Sequence, residues 1–505
     1  MNLIKKMWAE KPLLLILFAS AFIRLFAVLF SKGYGMHDDH FLVIEPAQSW
    51  VDGFDYNNWL PSSQLGNAPT PTGHSFFYSG LHYFLFTFLK AIGMDNPQSK
   101  MYVVRFIHAS LSLLIIYFGY KISEKVAGKQ EAKMVGILLG LFWFMPFMSV
   151  RNLVEFACIT PLIYATWIVI KNENNQKSYP YIIAGIFLGV AFSIRFQTIM
   201  FTGGFGLALL FMKQIKQALI LGFSFLLMAV IIQGGTDYII WGKPFVEFTE
   251  YVRYNIENAN TYFVQQWYMY LILIVGILIP PISLFLFFGF LRSWKKHLLL
   301  FLPSFAFLVL HSYFPNKQER FILPIIPFII MLGYIGWSNF IKTSNYWLSH
   351  KQLLTKFWIF FWILNTIPLL VVSVAYSKKN RVEAMSYIAS KGNVHSIIVE
   401  DSNRDNILMP PLFYLKKWGR VAGITQLNNA EAYYQNEYVK LLPKDRPNYV
   451  VFMQEDNIYK RVAALKIYIP SLSYETTIEP SFIDKLMHWL NPVNKNQVSF
   501  IYKIK

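Results

Sequence analysis

Charge and cysteine are what this chain has least of. Asp, Glu, Lys and Arg make up 15% of its 505 residues, whereas 55% are hydrophobic. A soluble domain carries about 25% charged residues, so a wholly water-facing surface is excluded. The single cysteine, Cys158, sits inside an apolar run. No intrachain disulfide can form, and the count says nothing further about compartment. Acids are scarcer than bases, 28 against 46, which leaves a net charge of +18. No Gly-rich phosphate-binding turn, internal repeat or low-complexity tract is visible.

What the chain does have is apolar runs of membrane-crossing length, recurring from end to end. Eleven spans are expected, near 12–31, 101–120, 134–150, 152–170, 180–196, 197–212, 216–235, 268–291, 298–314, 321–340 and 356–376. The first apolar run is about twice the length of a signal-peptide core and no small-x-small site follows it, so it reads as a retained span. Segment 76–93 is apolar enough to cross, but His82 and Lys90 interrupt it.

Charge placement decides that segment. With the amino terminus inside and 76–93 not crossing, the cytoplasmic pieces and their boundary residues hold seventeen Lys and Arg against four Glu. If 76–93 crossed, the bases would be split between compartments, against the positive-inside rule. The segment is therefore expected to lie at the outer interface. The scatter of bases over short loops also excludes nucleic acid as the reason for the basic pI, because a nucleic-acid binder gathers its bases on one face. Eleven spans put the carboxyl terminus outside. From about Ser377 the apolar runs shorten to strand length, as in Ser396–Val399 and Tyr449–Met453, and an amphipathic helix is expected near 481–490. The chain thus reads as a polytopic α-helical membrane domain, 1–376, followed by a small α/β domain, 377–505, on the outer face.

Polar residues at the outer edge are the candidate chemistry. Met36-His37-Asp38-Asp39-His40-Phe41, with Glu45 beyond, sets two carboxylates and two imidazoles just outside the first span. A general base acting on a hydroxyl at a lipid surface requires such a carboxylate. The same string offers divalent-metal ligands, though in no established spacing. Asp52 and Asp55 read as a solvated loop. Arg24 lies within the first span, either functional or satisfied by neighbours. Arg105, Arg151 and Arg195 fall at outer span ends, with Arg151 and Glu155 four apart. They suit either a lipid phosphate or ordinary interfacial anchoring. In the loop Pro315-Asn316-Lys317-Gln318-Glu319-Arg320-Phe321, Lys317 and Arg320 can converge on a phosphate, through a compact charge and a planar fork of donors.

These residues resemble a known family. Asn316-Lys317-Gln318-Glu319-Arg320-Phe321 is similar to the HKEERF motif of the Alg/PIG-B-type mannosyltransferases, within the GT-C superfamily of integral-membrane glycosyltransferases. Met36 to Glu45 is similar to that family's HPDEHFQxxE, with Asp38 on its Asp, Asp39 on its Glu, and His40, Phe41 and Glu45 in register. Asp237, Trp241-Gly242, Phe248 and Tyr254-Asn255 resemble a third outer-loop pattern. Asn316 and Gln318 depart from HKEERF, Met36-His37 departs from His-Pro, and the family's Trp-Glu and Arg-Ser signatures are not recognisable. Donor and acceptor preference can therefore differ.

The resemblance implies a GT-C-like fold of about eleven transmembrane helices and inverting transfer of a sugar, mannose, from a polyprenyl-phosphate sugar. The acceptor is a hydroxyl of a glycolipid or glycan at the outer face of the cell membrane. It implies Asp38 or Asp39 as catalytic base and Lys317, Arg320, Arg195 and Arg105 around the donor phosphate. His40, Glu45, Arg151, Glu155, Asp237 and Glu319 would support them. No cofactor and no resident metal is expected, with a divalent ion left open by the His-Asp-Asp-His string. A sugar nucleotide is disfavoured as donor, because the acids face away from the cytoplasm. Two alternatives stay open: a protein O-mannosyltransferase, and a transporter or flippase of a lipid-linked saccharide. The second would place ionisable groups near the bilayer midplane.

Overall fold

A computed structural model describes residues 2–64, 69–173, 177–419, 421–426, 429–492 and 498–505. Parts of the expected loops 32–75 and 171–179 lie outside these. The described chain is helical up to Ser390 and carries a five-stranded sheet beyond it. Among the described residues, six helices are long and apolar enough to cross a membrane: Pro12–Phe30, Pro97–Ala127, Val154–Lys171, Ile215–Trp241, Glu319–Thr343 and Lys351–Ser373. Four shorter apolar helices, Tyr179–Ile194, Phe196–Phe211, Ile282–Arg292 and Leu298–Tyr313, accompany them.

Two of the eleven expected spans are interrupted. Segment 134–150 forms Lys129–Leu141 and then a separate turn, Met145–Met148, that begins beside Pro146. Segment 268–291 forms Met269–Ile277 and Ile282–Arg292 on either side of Pro280-Pro281. Hydropathy runs straight through both places. Proline, which lacks an amide donor and clashes with the preceding turn, does not. Segment 76–93 forms a helix, Phe76–Ala91, of 16 residues. Leu81, Phe84 and Phe88, at helical spacing, are exposed along it.

The described residues gather into two compact units. One comprises Met1–Val28, Asn58–Leu81 and Val103–Ser373. Its core is one continuous apolar cluster running from Ile16 to Phe361. Helix contact is close where glycines meet: a Cβ on Gly289 would stand 2.0 Å from the carbonyl oxygen of Gly333. Small residues allow such backbone approach between apolar helices, where dispersion rather than hydrophobic exclusion holds them. Arg24 is buried inside this unit. Its Nε donates to Ser112 Oγ at 2.8 Å and its Nη1 to the Gly140 carbonyl at 2.9 Å, fastening the first helix to two others.

The second unit comprises Leu29–Asn57, His82–Tyr102 and Val374–Lys505. Its strands are β1 (Ile397–Glu400), β2 (Ala422–Ile424), β3 (Tyr449–Met453), β4 (Leu472–Ile478) and β5 (Ser499–Ile504), in the order β2-β1-β3-β5-β4. β1 pairs in parallel with β2 and β3, and β5 runs antiparallel to β3 and β4. β1 and β3 are buried along their whole length, as strands flanked on both faces must be. Arg461, fully buried, donates from Nε to Glu400 at 2.7 Å and from its terminal nitrogens to the Met453 and Gln454 carbonyls, closing the ends of β1 and β3. The expected helix near 481–490 forms as Phe482–Leu490, started by a Ser481–Asp484 capping box. Asp484 also accepts the backbone amides of Lys378 and Lys379. Residues leaving the first long helix meet those leaving the last, as Ser377 N donates to Lys32 O at 3.1 Å.

Candidate functional site

The acidic string folds as a bend and a short helix, Asp38–Phe41, followed by a second helix, Ile44–Val51. Its two adjacent acids do different things. Asp39 is buried and accepts the amides of Gly35, at 2.7 Å, and Met36, at 3.1 Å, one on each carboxylate oxygen. Asp38 is half-buried at the start of the helix. One carboxylate shapes the loop and the other keeps a face to solvent.

His40 and Glu45 are committed to structure. The ring of His40 lies between those of Tyr34 and Tyr414, with centroids 4.8 and 5.6 Å away and nearly parallel planes. Its Nε2 is 2.9 Å from Glu45 Oε1. Glu45, fully buried, also accepts the backbone amide of Phe413 at 2.9 Å. Burial pushes the Glu45 carboxyl up, against the bonds from His40 and the Phe413 amide, which lower it. The family-like string is thereby tied to residues 412–414, some 370 positions away in sequence. Lys378 adds to the same place, donating from Nζ to the Gly35 carbonyl at 2.8 Å. Arg381 stacks over Tyr34 at 5.4 Å. Neither base was found from sequence, since nothing local marks them. Asp52 and Asp55 are not merely solvated: Asp52 accepts from Gln48, Lys90 and Trp418, and Asp55 accepts the Trp50 indole at 3.1 Å. Among the described residues, no three His, Cys, Asp or Glu side chains group as metal ligands.

In the other unit the basic residues meet around one acid. Residues 149–153 leave helical geometry, so the expected one-face pairing of Arg151 with Glu155 has no helix to run along. Glu155 is instead 3.2 Å from Arg195 Nη2 and 3.4 Å from Arg320 Nε, with all three side chains largely buried. The two guanidiniums flank Phe321, at 4.9 and 5.5 Å from its ring. Arg151 packs on Phe147 at 4.3 Å, and Arg105, fully buried, donates to the Val28 carbonyl at 2.9 Å.

Lys317 does not join that cluster through its ammonium. Its Nζ donates to the carbonyls of Phe314 and Gln265, and burial pushes its pKa down. The Asn-Lys-Gln-Glu-Arg loop is zipped to residues 262–265: Lys317 N donates to Phe263 O at 3.0 Å, Gln265 N to Pro315 O at 3.1 Å and Asn316 Nδ2 to Tyr262 O at 2.9 Å. This pairing holds Arg320 inward, while Glu319 is exposed. Beside the cluster lies a cavity of about 200 Å³, lined by Phe196, Gln197, Phe248, Tyr251, His311 and Phe321 among others.

Asp237 sits in a separate network. A π-helical turn at Val230–Gly234 swings Gln233 inward, so that its Nε2 donates to Asp237 Oδ1 at 2.7 Å and to Glu247 Oε2 at 3.2 Å. Glu247 also accepts the Trp241 indole and the Phe76 amide, both at 3.1 Å. Burial, and after it the charge of Asp237, push the Glu247 carboxyl up. Ser75 Oγ donates to Gln233 Oε1 at 2.7 Å, so the network pins residues 75–76 to the helix Val246–Glu257. Glu247, Gln233 and Ser75 were not singled out from sequence.

Comparison with known proteins follows this geometry. Residues 15–407 match the model of the Alg9-like mannosyltransferase family. A GPI mannosyltransferase 3 of Debaryomyces hansenii is 22% identical over 397 residues, covering 74% of this chain and 67% of its own. The mannosyltransferase APTG1 of Arabidopsis thaliana is 23% identical over 429 residues, covering 77% and 73%. Among solved structures, ArnT from Cupriavidus metallidurans bound to undecaprenyl phosphate superposes with a TM-score of 0.63, at 12% identity and over 97% of each chain. At that identity the likeness shows a shared fold.

Proposed function

The chain belongs to the Alg9-like mannosyltransferase family and is an integral-membrane glycosyltransferase; from that premise we propose its donor, its base and its orientation. The donor is a polyprenyl-phosphate sugar, mannose, and the acceptor is a hydroxyl of a glycolipid or glycan. The single observation that carries the donor assignment is the buried Arg195–Glu155–Arg320 cluster beside an aromatic cavity. Two guanidiniums converge on one carboxylate where a lipid phosphate would bind, in low dielectric, where preorganised donors act most strongly. The ArnT structure, which holds a polyprenyl phosphate on the same fold, supports the reading.

Asp38 is the base. As the acceptor oxygen forms its bond to the anomeric carbon, the bond from that carbon to the phosphate oxygen breaks and the leaving lipid phosphate keeps the electron pair. The acceptor proton passes to the Asp38 carboxylate. Attack opposite the phosphate inverts the anomeric centre, through an oxocarbenium-like transition state. Arg195 and Arg320 hold the leaving charge, and no general acid is needed. Asp39, His40 and Glu45 fix the loop, Lys317 fixes Arg320 through the zipped loop, and Asp237 fixes the outer loop. The amino terminus is cytoplasmic and the active face outward, on the warrant of the basic excess in the inner loops.

Purified protein in nanodiscs, given polyprenyl-phosphate mannose or polyprenyl-phosphate glucose with membrane lipid extract, tests this. A product heavier by one hexose, formed from the mannosyl donor, is the expected mass-spectrometric result. Transfer from a sugar nucleotide alone would overturn the donor.

A further inference from the structure

One residue lining the aromatic cavity beside the arginine cluster carries a buried polar atom that the arrangement above does not use. His311 is 5% exposed and lies near the end of the helix Leu298–Tyr313. Its ring stacks on Phe307 at 4.0 Å, and its Nδ1 is 2.9 Å from the Phe307 carbonyl oxygen. A carbonyl only accepts, so Nδ1 carries the proton and Nε2 of the neutral ring is an acceptor. Nε2 is buried and has no hydrogen-bond partner among the described residues. A buried polar atom left unpaired is costly, and such atoms in native proteins call for a ligand or water.

The surroundings say which kind of group completes it. His311 lines the cavity together with Phe196, Phe248, Tyr251 and Phe321, and with the amide side chains of Gln197, Asn255 and Asn316. Apolar walls with a few fixed polar groups make an orienting site for a small ligand. At about 200 Å³ the space falls below the roughly 300–1,000 Å³ of drug-sized ligand sites, so it takes one small group. Phe321, the ring that both guanidiniums approach, forms one wall. A phosphate held by those guanidiniums would therefore place the group bonded to it at this cavity. An acceptor nitrogen repels a phosphate oxygen and welcomes a hydroxyl proton.

We propose that this cavity seats the sugar of the donor, with His311 Nε2 accepting a hydrogen bond from one of its hydroxyls and thereby reading sugar identity. The proposal rests on the polyprenyl-phosphate donor assigned above. Gln197, Asn255 and Asn316 supply further hydrogen-bonding groups around the ring, and the aromatic walls cover its C–H faces. A sugar lacking the read hydroxyl, or presenting it in the other configuration, would leave Nε2 unpaired and lose affinity.

The test compares two probes, polyprenyl phosphate and polyprenyl-phosphate mannose, bound to the full-length protein in nanodiscs. His311→Leu should weaken the mannosyl lipid about tenfold, the value of one lost buried hydrogen bond, and leave the bare phosphate lipid unchanged. His311→Gln, whose side-chain oxygen can accept in place of Nε2, should recover most of the loss. Equal weakening of both lipids would overturn the proposal by assigning His311 to the phosphate or to folding. Tightening of both by His311→Leu would overturn it in favour of an isoprene unit in the cavity. A wild-type protein that binds neither lipid would instead refute the donor assignment itself, and the sugar pocket with it.

Discussion

Replacing each of the two adjacent acids by asparagine separates chemistry from architecture. Asp39 accepts the amides of Gly35 at 2.7 Å and Met36 at 3.1 Å while 3% exposed. Asparagine keeps one acceptor oxygen and turns the other into an NH₂ group, which then faces an N–H. A hydrogen bond to a charged group contributes about 1.5–3 kcal/mol, and a buried unsatisfied donor costs about 1–3 kcal/mol. Asp39→Asn should therefore destabilise the fold by roughly 2–3 kcal/mol. Asp38 is half-buried at the same helix start. Asp38→Asn retains volume and polarity. Its turnover should fall by at least the ~10²-fold of general-base loss. Thermal unfolding in detergent and initial rates with polyprenyl-phosphate mannose measure both quantities on the same preparations. An Asp38→Asn enzyme of normal turnover, beside a stable and inactive Asp39→Asn, would refute the division of labour and move the base to Asp39.

Arg320→Lys keeps the charge at Glu155 but loses the planar fork, so donor affinity should fall severalfold; unchanged binding would place the phosphate elsewhere. Burial pushes the Asp401 carboxyl up to about 6 from 3.8, so the folded state holds that proton more tightly than the unfolded one. Its contribution to stability is then fullest below pH ~4 and declines as pH rises to ~6, by about 3 kcal/mol at ~1.4 kcal/mol per unit. Asp401→Asn should raise the unfolding temperature at pH 7.5 and flatten that part of the pH profile, whereas an unchanged profile would show Asp401 ionised throughout. With Cys158 replaced, a cysteine at Asn406 should react with an impermeant thiol reagent on intact cells and one at Gln130 should not. The reverse pattern would invert the proposed topology.

Composition and periodicity determined the solvent this chain folds in. Burying about 20 consecutive apolar residues in lipid is a local property, legible in a window, and so the long helices and the change of character near Ser377 could be read directly. The strands at 397–400 and 449–453 and the capped helix at 482–490 were equally local. Where local chemistry opposes hydropathy, at Pro146 and Pro280-Pro281, a hydropathy reading ran through breaks that proline imposed. Motif spacing placed Asp38, Lys317 and Arg320 in candidate loops but not in roles, because a role depends on what each side chain meets. Glu45 meets the Phe413 amide, Glu155 meets Arg195 and Arg320 rather than running down one helix face with Arg151, and Lys317 spends its ammonium on backbone carbonyls. All of these pairings but that of Lys317 with the Phe314 carbonyl join residues tens to hundreds of positions apart. No local propensity encodes such a meeting; only the packing of the folded chain brings the partners together, and desolvation then decides which of them hold charge.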